Sequence, residues 1–459
     1  MSVVATAVLA LAAGAAAGEK VDLLVTGATV VTMDSQRRVL TPGAVAIRGG
    51  RIEAVGPAAE IEAGFSAGET LDARGKLVMP GLINTHTHAP MALLRGISDD
   101  VELMTWLTKY IWPAEAKNVT PEFVTWGTRL AAWEMIRGGT TTFVDMYFYE
   151  DAVAAAAKQA GLRAVCAAAI LDIPVPGSRD ADAALAAAEK FLEKWRGDPL
   201  IVPAVGPHST YTCSAATLKR AKALADRYAA PLSIHAAESP SEMKTVREKY
   251  GASPVAVLKD LGLLGPGVLL AHGVWLSDED IASLAAADVG LAHCPQSNMK
   301  LGSGVAPVPK LLKAGVRVGL GTDGPSSNND LDLLEEVDSA LKLQKLTGGD
   351  PAALTAREAV EMATLGGARA LDLEDRIGSL APGKRADLIV VALDQPHALP
   401  LYDAYSALAY ALKGSDVETT IVDGRILMRD RKLLTLDVAA IAAKAREYGA
   451  QVARSLSQP

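Results

Sequence analysis

The sequence predicts an α/β protein: a TIM-like (β/α)8 barrel inserted in a small β-sandwich built from both chain ends. Three observations carry this reading. Eight short apolar runs alternate with helical stretches through the middle of the chain. The runs are continuously apolar, as parallel strands covered on both faces are. Two β-rich pieces bracket that middle, and each is too small to bury a core alone. The 459 residues accommodate a barrel of about 250 residues and a second unit. An open doubly wound sheet is the alternative, but no GxGxxG or Walker pattern follows a strand.

In chain order, residues 1–18 (MSVVATAVLALAAGAAAG) carry no charged side chain. They are shorter than the roughly 20 apolar residues of a membrane span. They resemble the apolar part and cleavage zone of a secretory signal, without the Lys or Arg that usually precedes one. Residues 1–20 are therefore a signal-like segment or an Ala-rich extension. Residues 21–77 and 379–432 form the composite β-sandwich. In the first piece, VAIR and RIEAV flank Gly49-Gly50, a hairpin signal. In the second, GSLAPGKRADLIVV is a turn and a buried strand, and TIV and RILM flank Asp423-Gly424. Residues 78–378 form the barrel, with strands at 78–84, 141–145, 164–170, 201–206, 232–236, 268–271, 290–292 and 316–321. The helices between them include 151–160, closed by Gly161. Residues 433–459 hold a terminal helix with Asp437 as N-cap and Ile441, Ala445, Tyr448 and Val452 on one face.

Half the residues are hydrophobic and the net charge is −8. This is globular composition, and with no basic run it excludes a nucleic-acid partner. No other segment looks transmembrane, so no membrane partner is expected. Cys166, Cys213 and Cys294 are odd in number and far apart, which gives no disulfide framework. A cytoplasmic location follows, or export if residues 1–18 act as a signal. A homo-oligomer stays open.

Six of the seven histidines, His86, His88, His208, His235, His272 and His293, fall at or just past the C-terminal end of a barrel strand. In a barrel those ends form the catalytic face. His86 and His88 are two residues apart on a strand, so they point the same way. Three later pieces join them: His235-Ala-Ala-Glu238, Ala271-His272-Gly273 and Gly321-Thr-Asp323-Gly324. Three imidazoles and a carboxylate suit Zn2+, which in catalytic sites keeps a position open for water. Fe2+ and Mn2+ also accept these ligand types. His397 lies in the β region and reads as structural.

Together with PGLINTHTHAPMALLRG, WLTKYIWPAEA, GPHSTYTCS, IHAAE, AHGVWL, HCPQSNMKL and GLGTDGPSSNN, these residues resemble the amidohydrolase superfamily. The resemblance spans about residues 21–432. It lies in the adenosine- and guanine-type deaminase branch and is closest to 5-methylthioadenosine/S-adenosylhomocysteine deaminases. It implies one divalent metal ion per subunit, held by His86, His88, His235 and Asp323, with His272 hydrogen-bonding the attacking water. Binuclear relatives use a carboxylated lysine after the fourth strand. Here that strand ends Val205-Gly-Pro-His208, which supports a single ion.

Deamination at C6 of an adenine needs a nucleophilic water, a proton for the ring nitrogen and a protonated leaving amine. Glu238, three residues after His235, suits both proton transfers; otherwise it is a helix-start carboxylate. Asp323 can take a proton from the water. The resemblance implies that Glu115 binds the ribose diol and His208 contacts the purine; His208 alone could equally be a core histidine. Trp106 is either an aromatic wall or packing on the Leu103/Leu107 face. Arg179 lies where relatives bind the homocysteine carboxylate, and Arg95 is the other candidate. His293 and Cys294 receive no ligand role. The expected activity is hydrolytic deamination of 5-methylthioadenosine, S-adenosylhomocysteine or related adenosines to the inosine analogue and ammonia. The alternatives are another amino-heterocycle (guanine, pterin or triazine type) and, more distantly, a non-catalytic binding protein on the same barrel.

Overall fold

The computed structural model describes residues 18–457. The signal-like reading of residues 1–18 therefore lies almost wholly outside the described residues. Glu19 and Lys20 already belong to the first strand, paired with Phe65 and Ser66.

Five strands come first: β1 (Glu19–Val31), β2 (Val39–Arg48), β3 (Arg51–Pro57), β4 (Phe65–Asp72) and β5 (Lys76–Pro80). The barrel follows with β6 (Leu82–Thr87), β7 (Thr140–Tyr147), β8 (Arg163–Ile170), β9 (Ile201–Pro207), β10 (Leu232–Ala236), β11 (Val268–His272), β12 (Gly290–His293) and β13 (Arg317–Leu320). The chain returns to the first sheet with β14 (Leu388–Ala392), β15 (Val417–Val422), β16 (Arg425–Arg429) and β17 (Lys432–Leu433).

The eight barrel strands lie side by side in chain order. The ends meet where Asp323 N donates to the His86 carbonyl at 2.9 Å and Thr85 Oγ1 donates to the Leu320 carbonyl at 2.8 Å. A Cβ on Gly321 would sit 2.8 Å from His86 N, so a side chain there would push the two strand ends apart. Ile83, Val144, Val165, Ala204, Leu269 and Ala292 fill one cluster contributed by six strands. Each Ile, Val or Leu among them contributes roughly 1.5–3 kcal/mol on burial. That easily offsets left-handed backbone at three rim residues, Ala237, His272 and Asp323, at roughly 1–3 kcal/mol each.

The terminal pieces form one nine-stranded sheet, ordered β17-β16-β15-β14-β5-β1-β2-β3 with β4 beside β1. The expected sandwich is thus a single sheet folded over on itself. Ile47 and Ile52 from one edge share a core with Leu388, Val390 and Ile421 from the other half. Both tight turns form as expected, with positive φ at Gly49, Gly50, Asp423 and Gly424. They meet closely enough that a Cβ on Gly50 would lie 2.6 Å from the Asp423 carbonyl oxygen.

The expected strand at 78–84 is a correction. It is two strands in two sheets: Val78 and Met79 pair antiparallel with β14, and the barrel begins only at Leu82. Pro80 ends the first, and Gly81 N donates to the Asp387 carbonyl. Both halves are buried and apolar, so hydrophobicity alone does not reveal the switch. Asp387 also receives the side chain of the fully buried Arg163, at 2.9 Å and 3.2 Å, which ties the start of β8 to the sheet. The helix Val438–Leu456, capped by Asp437, buries Ile441, Tyr448 and Val452. Among the described residues no helix is long and apolar enough to cross a membrane.

Candidate metal centre and active site

The barrel rim brings His86, His88, His235, His272 and Asp323 together. His86 lies on β6 and His88 one residue past its end, while His235 is on β10 and His272 closes β11. Asp323 Oδ1 is 3.3 Å from His86 Nε2 and 3.2 Å from His88 Nε2. The His88 and His235 Nε2 atoms are 3.3 Å apart. The ring centroids of His86 and His235 are 4.8 Å apart. Two overlapping ligand groups result, His86–His88–Asp323 and His86–His235–His272, sharing His86.

The hydrogen bonds around these rings set which nitrogen faces inward. His88 Nδ1 bonds the Met146 carbonyl at 2.5 Å, and His235 Nδ1 bonds the His208 carbonyl at 2.9 Å. A carbonyl only accepts, so Nδ1 carries a proton in each ring and Nε2 is the nitrogen left to face a metal, as a metal-ligating imidazole requires. His86 is fully buried; its Nδ1 has no partner and its Nε2 meets Asp323 Oδ1 at 3.3 Å. A buried nitrogen without a partner is costly, and the Nε2 side of this ring faces the other ligand atoms. The donor set fits a divalent ion.

The titration shifts agree. Burial, then crowding by the other imidazoles, pulls His235 well below its usual range, and burial pulls His86 down to about 4. Asp323 is equally near His88, yet His88 rises to about 9. Burial lowers it, but Asp323, the Met146 carbonyl and Asp145 outweigh that; His86 has no such second partner. Burial would raise Asp323, but the hydrogen bonds from His86 and His88 hold it well below the carboxylate range. A buried carboxylate that forces one imidazole to stay protonated marks a place that calls for positive charge, which a cation supplies without a proton. The other oxygen, Oδ2, accepts from Ser297 Oγ and Ser327 Oγ, each at 2.7 Å. Sequence reasoning missed both serines.

Glu238 is buried just beyond His235, with Oε2 3.8 Å from His272 Nε2. Burial first, then the Asp323 charge, pushes its pKa up against the pull of His272 and His88. Its backbone N donates to Glu242 Oε2 at 2.7 Å, which fixes the start of the following helix. His272 Nδ1 bonds Asn298 Oδ1 at 3.0 Å, leaving a buried Nε2 without a partner.

A cavity of about 60 Å3 adjoins the imidazoles, lined by His88, Trp106, Trp112, Glu115, Tyr147 and His208 among others. Glu115 and Trp106 therefore reach the site, both buried. The Tyr147 hydroxyl donates to Glu115 Oε1 at 2.7 Å. Burial pushes the Glu115 carboxyl up to about 7, although Tyr147 and His88 pull the other way. His208 Nδ1 meets Thr212 Oγ1 at 3.1 Å, and its ring lies 4.6 Å from that of His235. Burial lowers it to about 3, so it is neutral.

The two arginines stand elsewhere. Arg179 is 87% exposed and paired with its neighbour Asp180. It follows a loop, residues 176–178, that walls a separate 210 Å3 cavity sharing Tyr147, Phe148 and Ala169 with the first. Arg95 is held by Glu134 and the Asn329 carbonyl, outside both cavities. His293 is buried without a partner for either nitrogen and belongs to neither ligand group. His397 pairs with Asp416 at 2.9 Å, a structural contact. A larger cleft, about 1260 Å3, includes none of these site residues.

The barrel, its folded-over sheet and a rim of imidazoles around one aspartate define a metal-dependent hydrolase architecture. The chain belongs to the amidohydrolase family, whose profile matches residues 77–427. A bacterial imidazolonepropionase-like composite domain also matches residues 43–65. The chain is 49% identical to the 5-methylthioadenosine/S-adenosylhomocysteine deaminase of Syntrophobacter fumaroxidans, over 93% of this chain and 97% of that protein. It is 45% identical to the 5'-deoxyadenosine deaminase of Methanosarcina acetivorans, again over 93% and 97%. In three dimensions it is similar to a zinc-bound adenosine deaminase of Xanthomonas campestris, with a TM-score of 0.94, 40% identity and coverage of 95% and 100%.

Proposed function

We propose that this protein is a hydrolytic deaminase of adenosine-type nucleosides, including 5'-thioether derivatives, which consumes water and releases ammonia and the inosine analogue. The observation that carries this reading is the convergence of inward-facing imidazole nitrogens and Asp323 beside a buried Glu238 whose pKa is raised. His86, His88, His235 and Asp323 would hold one divalent ion, with Zn2+ favoured by the nitrogen-rich set. When bound, such an ion lowers the pKa of water from 15.7 to about 7 and makes it a nucleophile at neutral pH.

The chain's own groups do the rest. Asp323 is held ionised and accepts a proton from the attacking water. Glu238 has its carboxyl proton stabilised by burial; it protonates the purine ring nitrogen as C6 is attacked, regains a proton from the hydroxyl now on C6 and delivers it to the departing amine, after which the proton held by Asp323 restores Glu238. His272, with Nδ1 anchored on Asn298, presents Nε2 as a hydrogen-bond acceptor that orients the water. Glu115 accepts from the ribose hydroxyls, and His208, neutral and fixed by Thr212, lies against the base.

A cavity of about 60 Å3 has room for about two waters. Binding a nucleoside therefore requires the outer part of the wall, residues 103–111, to move outward while Glu115 keeps its bond to Tyr147. That wall includes a π-helical stretch, Trp106–Ile111, a form found mostly at functional sites. Arg179, which follows the loop that walls the adjoining chamber, is the group proposed for a charged 5' tail.

Zinc-loaded protein incubated with adenosine, 5'-deoxyadenosine, methylthioadenosine and S-adenosylhomocysteine should release ammonia and show the adenine-to-hypoxanthine absorbance change. Glu238→Gln should lower the rate by roughly 10²–10⁴-fold while zinc content stays at one ion per chain. Ammonia release by Glu238→Gln at the parent rate would remove the assignment.

A further inference from the structure

We propose that Tyr147 is a specificity-determining positioning residue: its hydroxyl fixes the Glu115 carboxylate so that one oxygen stays free for the hydroxyl groups of a ribose-bearing substrate. The inference rests on the nucleoside reading above and names a residue that the motifs did not single out.

Tyr147 is the last residue of β7, buried, and a lining residue of the same cavity as Glu115, His88 and His208. Its hydroxyl donates to Glu115 Oε1 at 2.7 Å, and no described residue donates to Oε2. The remaining cavity wall near Glu115 is largely apolar, with Trp106, Leu107, Ile111 and Met146, and contains no lysine or arginine. Tyr147 thus supplies the one strong donor that orients this carboxylate. A carboxylate oxygen already engaged by a phenol has less capacity for substrate, so the diol meets Oε2 in one orientation.

Tyr147 is itself held from two sides. Its backbone N donates to Glu150 Oε1 at 2.6 Å, and its ring packs against Phe148 with centroids 5.0 Å apart. The phenol cannot swing away from Glu115 without leaving this seat. The ring also lies 6.5 Å from that of His88, so the strand end that orders Glu115 abuts the metal centre. Hydroxyl recognition is thereby placed at a fixed distance from the reacting C6.

The test compares zinc-loaded wild type, Tyr147→Phe, Glu115→Gln and the double variant on adenosine and on 2',3'-dideoxyadenosine, which lacks both hydroxyls. Phenylalanine keeps the ring and its packing. Tyr147→Phe is expected to lower kcat/KM for adenosine by roughly tenfold, the worth of a hydrogen bond to a charged group, chiefly through KM. It should leave the dideoxynucleoside unchanged. In the Glu115→Gln background Tyr147→Phe should add little, because the two residues act as one unit. Equal losses on both substrates, or losses that multiply in the double variant, would overturn the inference and leave Tyr147 a packing residue. Wild-type protein that deaminates neither nucleoside would instead overturn the activity on which it rests.

Discussion

Glu115 combines two properties that pull in opposite directions: it is suited to hold a diol, and it is expensive to keep ionised. Burial puts its carboxyl at about 7 against an ordinary 4.5. Between those values the unfolded chain has lost the proton while the folded protein still holds it. Folding then takes up a proton, so stability falls as pH rises through this window and reaches its full penalty above pH 7. At 1.36 kcal/mol per pH unit the penalty is about 3 kcal/mol. Glu115→Gln removes the ionisation and keeps a carbonyl oxygen for the Tyr147 hydroxyl. The variant should therefore be more stable than wild type by about 3 kcal/mol at pH 8 and by less than about 1 kcal/mol at pH 5. Other titrating groups act equally in both proteins and cancel in the difference. Melting temperatures of both zinc-saturated proteins, measured from pH 5 to 8, read this directly: a gain of several degrees at pH 8 that shrinks towards pH 5. Nucleoside turnover should fall in the same variant, a trade of stability for function. An equal difference at all pH values, or a variant less stable than wild type at pH 8, would refute the reasoning.

Three further outcomes follow from the contacts. Chelation of the metal should abolish ammonia release, zinc should restore it, and the stripped protein should melt at a lower temperature because binding to the native state alone stabilises it. Ser297→Ala combined with Ser327→Ala strips Asp323 Oδ2 of both donors; zinc affinity, read by chelator competition, should drop roughly 10–100-fold. Arg163→Met leaves Asp387 buried without its guanidinium and should cost roughly 3–5 kcal/mol in denaturant unfolding, with zinc content unchanged because the pair lies at the start of β8, away from the rim.

What the chain's letters disclose is sorted by how far each group's action reaches. The barrel strands are legible because a parallel strand buried on both faces needs an unbroken apolar run, and β10 falls at residues 232–236 as expected. The same property hides the passage from sheet to barrel at Pro80-Gly81, since both sides are apolar and only the hydrogen bond from Gly81 to Asp387 marks the change. The metal centre is legible because imidazoles at strand ends are chemically distinctive wherever they stand. Ser297 and Ser327 are not, because a serine has no such signature until folding brings both hydroxyls onto one carboxylate oxygen. Arg95 has the charge that a substrate tail calls for, but Glu134, thirty-nine residues away, claims it, and sequence separation cannot foresee such pairing. Tyr147 falls between these cases. The strand expected at 141–145 runs on to Tyr147, and alternation places residues 145 and 147 on one face, by the same rule that pairs His86 with His88. Its role, however, requires Glu115, thirty-two residues earlier, and only the tertiary contact joins them. The chemistry of the reaction is thus written in residue types, whereas the choice of substrate depends on contacts between elements. Variants that exchange substrates should therefore cluster on β7 and the 103–118 wall and leave the histidines untouched.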